Sequence, residues 1–294
     1  MTDSRLLVLG AGTMGAQIAQ QAALHGVSVT LVDVSQEQLD RALASNRGHL
    51  DRAVAKGKLA ESQADKAFSR VLPGTVLADA AADADWAIEA IVEEEGAKRE
   101  AFTELDRVLP KHAGIASNSS NIVVSRLADA TSRPELCCNM HFFHPVLVMD
   151  LCEIVRGPLT SDETVSRAQA WADRMHRRSI VVEHEIDGFV VNRILGAASR
   201  EAFTLLDKGI ASVQDIDTAA RAGLGWPMGP FQLADFSGLD VILGVRRDRA
   251  TRDHHAGDDA TVRVLEPMIA DGRLGRKSGR GFYDYATDPP TPLG

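Results

Sequence analysis

At 294 residues the chain can bury two substantial cores, and its 45% apolar and 25% charged composition is that of an ordinary globular protein. A formal net charge of −9 excludes broad binding to nucleic acid or to anionic membranes, so any anionic ligand must be met by a local basic patch. No apolar run approaches membrane-spanning length and Met1–Arg5 lacks a signal-peptide pattern, while Cys137, Cys138 and Cys152 suggest neither a disulfide framework nor zinc-ligand spacing, which points to a reduced, cytoplasmic setting with buried thiols.

Leu6 to Leu9 is a continuous apolar run, the pattern of a strand buried on both faces. Gly10-Ala11-Gly12-Thr13-Met14-Gly15 follows, Met14 to Leu24 reads as a helix, and Val27 to Val32 is a second apolar run closed by Asp33. In this order the first glycine permits the tight turn, the second lets a pyrophosphate approach the backbone, and the third lets helix pack on strand. The phosphates then face a helix N-terminus. Asp33 is placed to accept from an adenosine ribose, and its charge repels a 2′-phosphate, so the cofactor is read as NAD rather than NADP.

Gln36 to Lys56 and Glu61 to Arg70 read as a helical hairpin inserted before the next strand, carrying Arg41, Arg47, Arg52, Lys56 and Lys58. Those charges are either a solvated face or a site for an anionic ligand. Trp86 to Val92 is the next strand and Ala97 to Leu109 the helix after it. Ile115 to Asn118, Cys137 to Phe143, Leu151 to Val155 and Ser179 to Val182 are further strands, with a helix over Val165 to His176. Such alternation implies a largely parallel, doubly wound α/β sheet of Rossmann type, with ligands outside the carboxyl ends of the strands. Gly12, Glu93, Ser120 and His141 would gather there. From Phe189 onward the pattern is helical, through Val191 to Lys208 and Val213 to Ala222. The boundary is placed near Glu185, giving a cofactor domain over 1–184 and an all-helical domain over 185–294. The closing DPPTPLG segment reads as a disordered tail.

His141 lies near a strand end, with Glu153 in the next apolar run. A histidine can take a proton from a hydroxyl and return it, and a carboxylate on its other nitrogen would fix the tautomer. Spacing alone leaves a structural histidine as the other reading. The segments LGAGTMGAQIAQ, AIEAIVEE, ASNSSNIVVSRLA, MHFFHPVLVMDLCEIV, DGFVVNRIL, KGIASVQDID, PMGPFQLADFSGLD and GRKSGRGFYDY settle the context. In that order they resemble the L-3-hydroxyacyl-CoA dehydrogenase family, and most closely its short bacterial 3-hydroxybutyryl-CoA members.

The resemblance implies an NAD-dependent, homodimeric oxidoreductase interconverting an (S)-3-hydroxyacyl-CoA and a 3-ketoacyl-CoA, without a metal. It makes His141 the general acid/base, Glu153 its partner, and Ser120 and Asn192 the groups holding the substrate oxygen. It makes Gly10, Gly12, Thr13, Met14, Gly15, Asp33, Glu93, Lys98 and Asn118 cofactor contacts, and gives Lys56 the CoA phosphates. Three positions depart from the family pattern: His144 for the Asn of HFFNP, Asn121 for a Ser, and Asp187 for a Pro. They put the usual acetoacetyl substrate in question. The competing readings are a dehydrogenase of a small free 3-hydroxy acid and a non-catalytic NAD-binding protein.

Overall fold

The computed structural model describes residues 5–253 and 259–293 and divides into two compact units after Val190. The first unit holds one sheet of eight strands, β1 Arg5–Leu9, β2 Ser28–Val32, β3 Val71–Gly74, β4 Trp86–Glu89, β5 Gly114–Ser117, β6 Cys137–Phe142, β7 Leu151–Val155 and β8 Arg178–Val182. Their order is β3-β2-β1-β4-β5-β6-β7-β8, and every neighbouring pair is parallel except β6 and β7. The helices between them are α1 Thr13–Leu24, α2 Gln36–Ala55, α3 Glu61–Ser69, α4 Leu77–Ala81, α5 Glu95–Val108, α6 Ser125–Ala128 and α7 Asp162–Arg174.

Strand alternation divides the apolar side chains between two cores. Leu6 and Val8 of β1 pack with Ile18 and Ala19 of α1 and with Ala168 and Trp171 of α7, whereas Leu7 packs with Phe102 and Leu105 of α5. Both faces are therefore covered, which is why these strands appear as unbroken apolar runs. Side-chain caps fix where the helices begin. The Ser35 hydroxyl accepts the Gln38 N–H at 3.2 Å before α2, and the Glu94 carboxylate accepts the Gly96 and Ala97 N–H groups before α5.

Gly10 has φ 103°, and a Cβ on Gly15 would lie 1.9 Å from the Gly10 carbonyl oxygen. The glycine turn thus packs backbone on backbone. Gly15→Ala is expected to destabilise the protein by about 3 kcal/mol, the upper end of overpacking costs, because the atom it meets cannot rotate away. A denaturant midpoint unchanged from that of the parent protein would show that the turn relaxes freely.

Several sequence expectations need correction. The sequence reading passes from the helical hairpin to Trp86, but β3 and α4 lie between them. The strand from Trp86 ends at Glu89 rather than Val92, because the Ile91 N–H turns back to the Glu89 carboxylate at 2.7 Å. The two units part after Val190, a few residues beyond the expected boundary near Glu185. In the tail, Thr291–Pro292 (β10) pairs antiparallel with Tyr283–Asp284 (β9), so that stretch is ordered.

The second unit is built from α8 Val191–Asp207, α9 Val213–Thr218, a π-helical turn over Ala219–Gly223, α10 Pro230–Ser237, α11 Leu239–Asp253 and α12 Ala260–Ala270. Phe203, Phe231 and Phe282 meet edge-on or tilted at its centre, with centroids 4.6 to 5.8 Å apart. Two buried carboxylates organise the backbone around them. Asp217 accepts the Phe231 and Gln232 N–H groups at the start of α10, and Asp235 accepts those of Phe282 and Tyr283. Burial pushes the Asp235 carboxyl above its usual range, and these hydrogen bonds oppose that rise. The motifs PMGPFQLADFSGLD and GRGFYDY are accounted for here by structure.

Candidate active site

Because β1, β4, β5 and β6 run parallel as neighbours, their carboxyl ends lie along one edge of the sheet. That edge carries Gly10 after β1, Glu93 after β4, Asn118 and Ser120 after β5, and His141 near the end of β6.

His141 and Glu153 face each other directly across the antiparallel β6–β7 pair. The imidazole Nδ1 lies 2.8 Å from Glu153 Oε2, with the histidine 6% exposed and the carboxylate fully buried. The other carboxylate oxygen, Oε1, accepts the Val190 N–H at 3.0 Å. Phe143 and Phe189 contact the imidazole edge-on, at 4.5 and 5.5 Å between centroids. One ring nitrogen is therefore committed to a carboxylate inside an aromatic wall, and Nε2 is the nitrogen left to exchange a proton with a substrate.

The glycine turn fits a dinucleotide. Gly12 is the N-cap of α1 with no side-chain hydrogen bond to it, and a Cβ built on Gly12 meets nothing within 4 Å. The N–H groups of the first turn, including those of Thr13 and Met14, thus border open space that suits a pyrophosphate. Asp33 closes β2, where its two oxygens accept the Ala11 N–H at 2.8 Å and the Ser35 N–H at 2.9 Å. Its carboxylate is fixed in place beside the turn.

The remaining predicted residues fall in three settings. Asn118 uses its side-chain oxygen to accept the Phe142 N–H at 2.9 Å, tying the end of β5 to the strand that carries His141. Ser120 receives a hydrogen bond from the Asn121 side-chain amide at 3.0 Å, so the departure at 121 bears directly on the Ser120 hydroxyl. Lys98 is 1% exposed, with its ammonium 2.5 Å from Glu89 and 3.4 Å from Glu93. Lys56 is exposed at the C-cap of α2. Within the hairpin, Arg47 pairs with Asp51 and Asp65 and Arg41 with Glu37, which leaves a smaller basic excess than the sequence suggests. Asn192 lies in the first turn of α8, in the second unit. His144 and Asp187 are exposed. Cys137, Cys138 and Cys152 are fully buried, and burial pushes all three thiols up, Cys137 to about 12, away from the reactive thiolate form.

Sequence reasoning missed Glu89, Ser119, Phe189, Val190 and Gln17, whose side chain accepts the Val146 N–H at 2.8 Å and holds the loop after β6. The available signal at Glu89 was a carboxylate closing an otherwise apolar strand.

A glycine turn suited to a pyrophosphate, on the same sheet edge as a buried histidine–carboxylate pair, is the arrangement of a Rossmann-type nucleotide-dependent dehydrogenase. Residues 5–186 match the NAD-binding domain of 3-hydroxyacyl-CoA dehydrogenase and residues 188–285 its C-terminal domain, and the chain belongs to that family. It is 40% identical over 288 residues to a 3-hydroxybutyryl-CoA dehydrogenase of Bradyrhizobium diazoefficiens, covering 97% of this chain and 96% of the relative. It is 36% identical over 288 residues to human mitochondrial hydroxyacyl-coenzyme A dehydrogenase, covering 95% and 90%. The crystal structure of (S)-3-hydroxybutyryl-CoA dehydrogenase PaaH1 from Ralstonia eutropha superposes with a TM-score of 0.88 at 37% identity, covering 97% of this chain and all of that one. The chain is thus an NAD-dependent dehydrogenase, and its first unit carries the NAD-binding domain.

Proposed function

We propose that this enzyme interconverts (S)-3-hydroxyacyl-CoA and 3-ketoacyl-CoA, with the four-carbon pair 3-hydroxybutyryl-CoA and acetoacetyl-CoA as substrates. The observation that carries the reading is the buried His141–Glu153 pair at the sheet edge that also bears the glycine turn. In the oxidising direction His141 Nε2 takes the 3-hydroxyl proton while Glu153 stabilises the imidazolium. Bound NAD supplies the hydride acceptor. In the reducing direction the imidazolium returns the proton to the oxygen that Ser120 holds as its charge changes. Assignment of Asn192 to the same oxygen rests on the family resemblance.

Lys56 on the exposed hairpin is proposed to meet the CoA phosphates, and the second unit to serve substrate binding and homodimerisation. Ile194, Ile210, Val241 and Val245 support the latter, since they are 45% to 64% exposed on its surface. The proposed compartment is the cytoplasm. Among the described residues no helix is long and apolar enough to cross a membrane.

The test is loss of NADH absorbance with acetoacetyl-CoA, with free acetoacetate at equal concentration, and with the truncated acetoacetyl-pantetheine. Turnover of the CoA ester alone or far above the free acid supports the reading; preference for the free acid overturns it. Lys56→Ala is expected to raise KM for the CoA ester about tenfold and leave the pantetheine ester unaffected, as the loss of one charge-assisted phosphate contact requires. Equal effects on both esters would make Lys56 a solvated surface charge.

A further inference from the structure

We propose that Glu89 is a positioning residue for this dehydrogenase, acting through Lys98 and Glu93 on the loop that carries Ser120; the inference rests on the functional reading above. Glu89 is fully buried at the end of β4 and Lys98 is 1% exposed. A buried ion pair of this kind is a poor source of stability, because desolvation offsets the attraction and apolar side chains of similar size serve as well. Its use is found in what the pair fixes.

Glu89 Oε1 accepts both the Lys98 ammonium at 2.5 Å and the Ile91 N–H at 2.7 Å, and Oε2 accepts the Ser117 hydroxyl at 2.6 Å. The Lys98 ammonium also lies 3.4 Å from Glu93 Oε2. Glu93 Oε1 in turn accepts the Ser119 hydroxyl at 2.5 Å and the Asn121 N–H at 3.2 Å. The Ser119 oxygen accepts the Ile122 N–H at 2.7 Å. One chain of polar contacts thus runs from β4 to both sides of Ser120.

Its other end abuts the glycine turn. A Cβ on Gly10 would fall 2.6 Å from the Ala90 carbonyl oxygen and 2.9 Å from the Ile91 nitrogen, the same backbone that Glu89 holds. Glu89 therefore sets one segment against the cofactor cradle and, through Lys98, sets another that presents the substrate-oxygen ligand. Buried charges resist displacement more steeply than dispersion contacts do, which suits a pair that must define distance rather than add stability.

Glu89→Gln keeps the side-chain volume and removes the charge. Lys98 is then left with Glu93 as its carboxylate and draws it away from Ser119. In the ligand-free protein, amide exchange at Asn121 and Ile122 is expected to rise about tenfold while exchange in α7 stays at the parent value. The rate constant kcat for acetoacetyl-CoA is expected to fall about tenfold, and the Glu89→Gln/Ser119→Ala double variant to be no slower than the slower single variant, since both break one relay. Glu89→Gln/Lys98→Met removes both charges and guards against a folding failure of the single variant; the relay requires that its Asn121 and Ile122 amides also exchange faster than in the parent. Exchange in those amides at the parent rate, a rise spread evenly over the first unit, or multiplicative losses of kcat would each overturn the proposal. If the parent protein fails to reduce acetoacetyl-CoA the functional reading falls, and the exchange measurements still decide the relay.

Discussion

Replacing His141 by Gln is expected to lower kcat for acetoacetyl-CoA reduction by about three orders of magnitude, within the range set by loss of a general acid/base, while NADH still binds. Glutamine is the informative replacement because its amide can still donate to Glu153 Oε2, which the His141 Nδ1 contacts at 2.8 Å. Alanine would leave a fully buried carboxylate facing a cavity between Phe143 and Phe189, and the resulting instability would obscure the chemistry. A stable variant that titrates NADH fluorescence normally and turns over poorly would place the loss at the proton-transfer step. Near-normal turnover would remove His141 as the acid/base and make the pair structural.

Much of this site was legible in the sequence because its parts sit at places that patterns mark. Gly10, Gly12, Gly15 and Asp33 follow from a strand, a turn and a helix whose periodicities change within a few residues. By local pattern His141 and Glu153 are two polar residues in adjacent apolar runs; the family resemblance pairs them, and the antiparallel register that brings them together is stated by no local pattern. The strand β3, with the sequence VLPG, has neither alternation nor length to mark it, and its proline is acceptable because β3 forms the sheet edge. The role of Lys98 was illegible for a related reason. A lysine in the first turns of a helix reads as a surface charge or a ligand contact, and only the turn of the chain from β4 into α5 brings its ammonium to 2.5 Å from Glu89.

The Val190 N–H poses the same problem of distant residues sharing one group, and it shapes the second large effect. Glu153 offers one oxygen to His141 and the other to the Val190 N–H at 3.0 Å, so both functions require an acceptor. Glutamine has only one oxygen. If that oxygen keeps the Val190 N–H, the amide nitrogen faces His141 Nδ1 and forces the ring proton onto Nε2, where the lone pair is needed to take the hydroxyl proton. If the oxygen turns to His141, the side-chain amide at the fully buried position 153 opposes the Val190 N–H, which is destabilising. Glu153→Gln is therefore expected to lose about two to four orders of magnitude in kcat through the wrong tautomer, or to be unstable through the orphaned donor. Steady-state rates beside thermal unfolding distinguish the two. The losses must also appear in both directions, because the variant cannot alter the equilibrium between the hydroxy and keto esters, so kcat/KM for oxidation has to fall in proportion to that for reduction. A Glu153→Gln enzyme that retains parent-like rates in both directions would show that the carboxylate charge contributes nothing to proton transfer and that its place beneath His141 is structural.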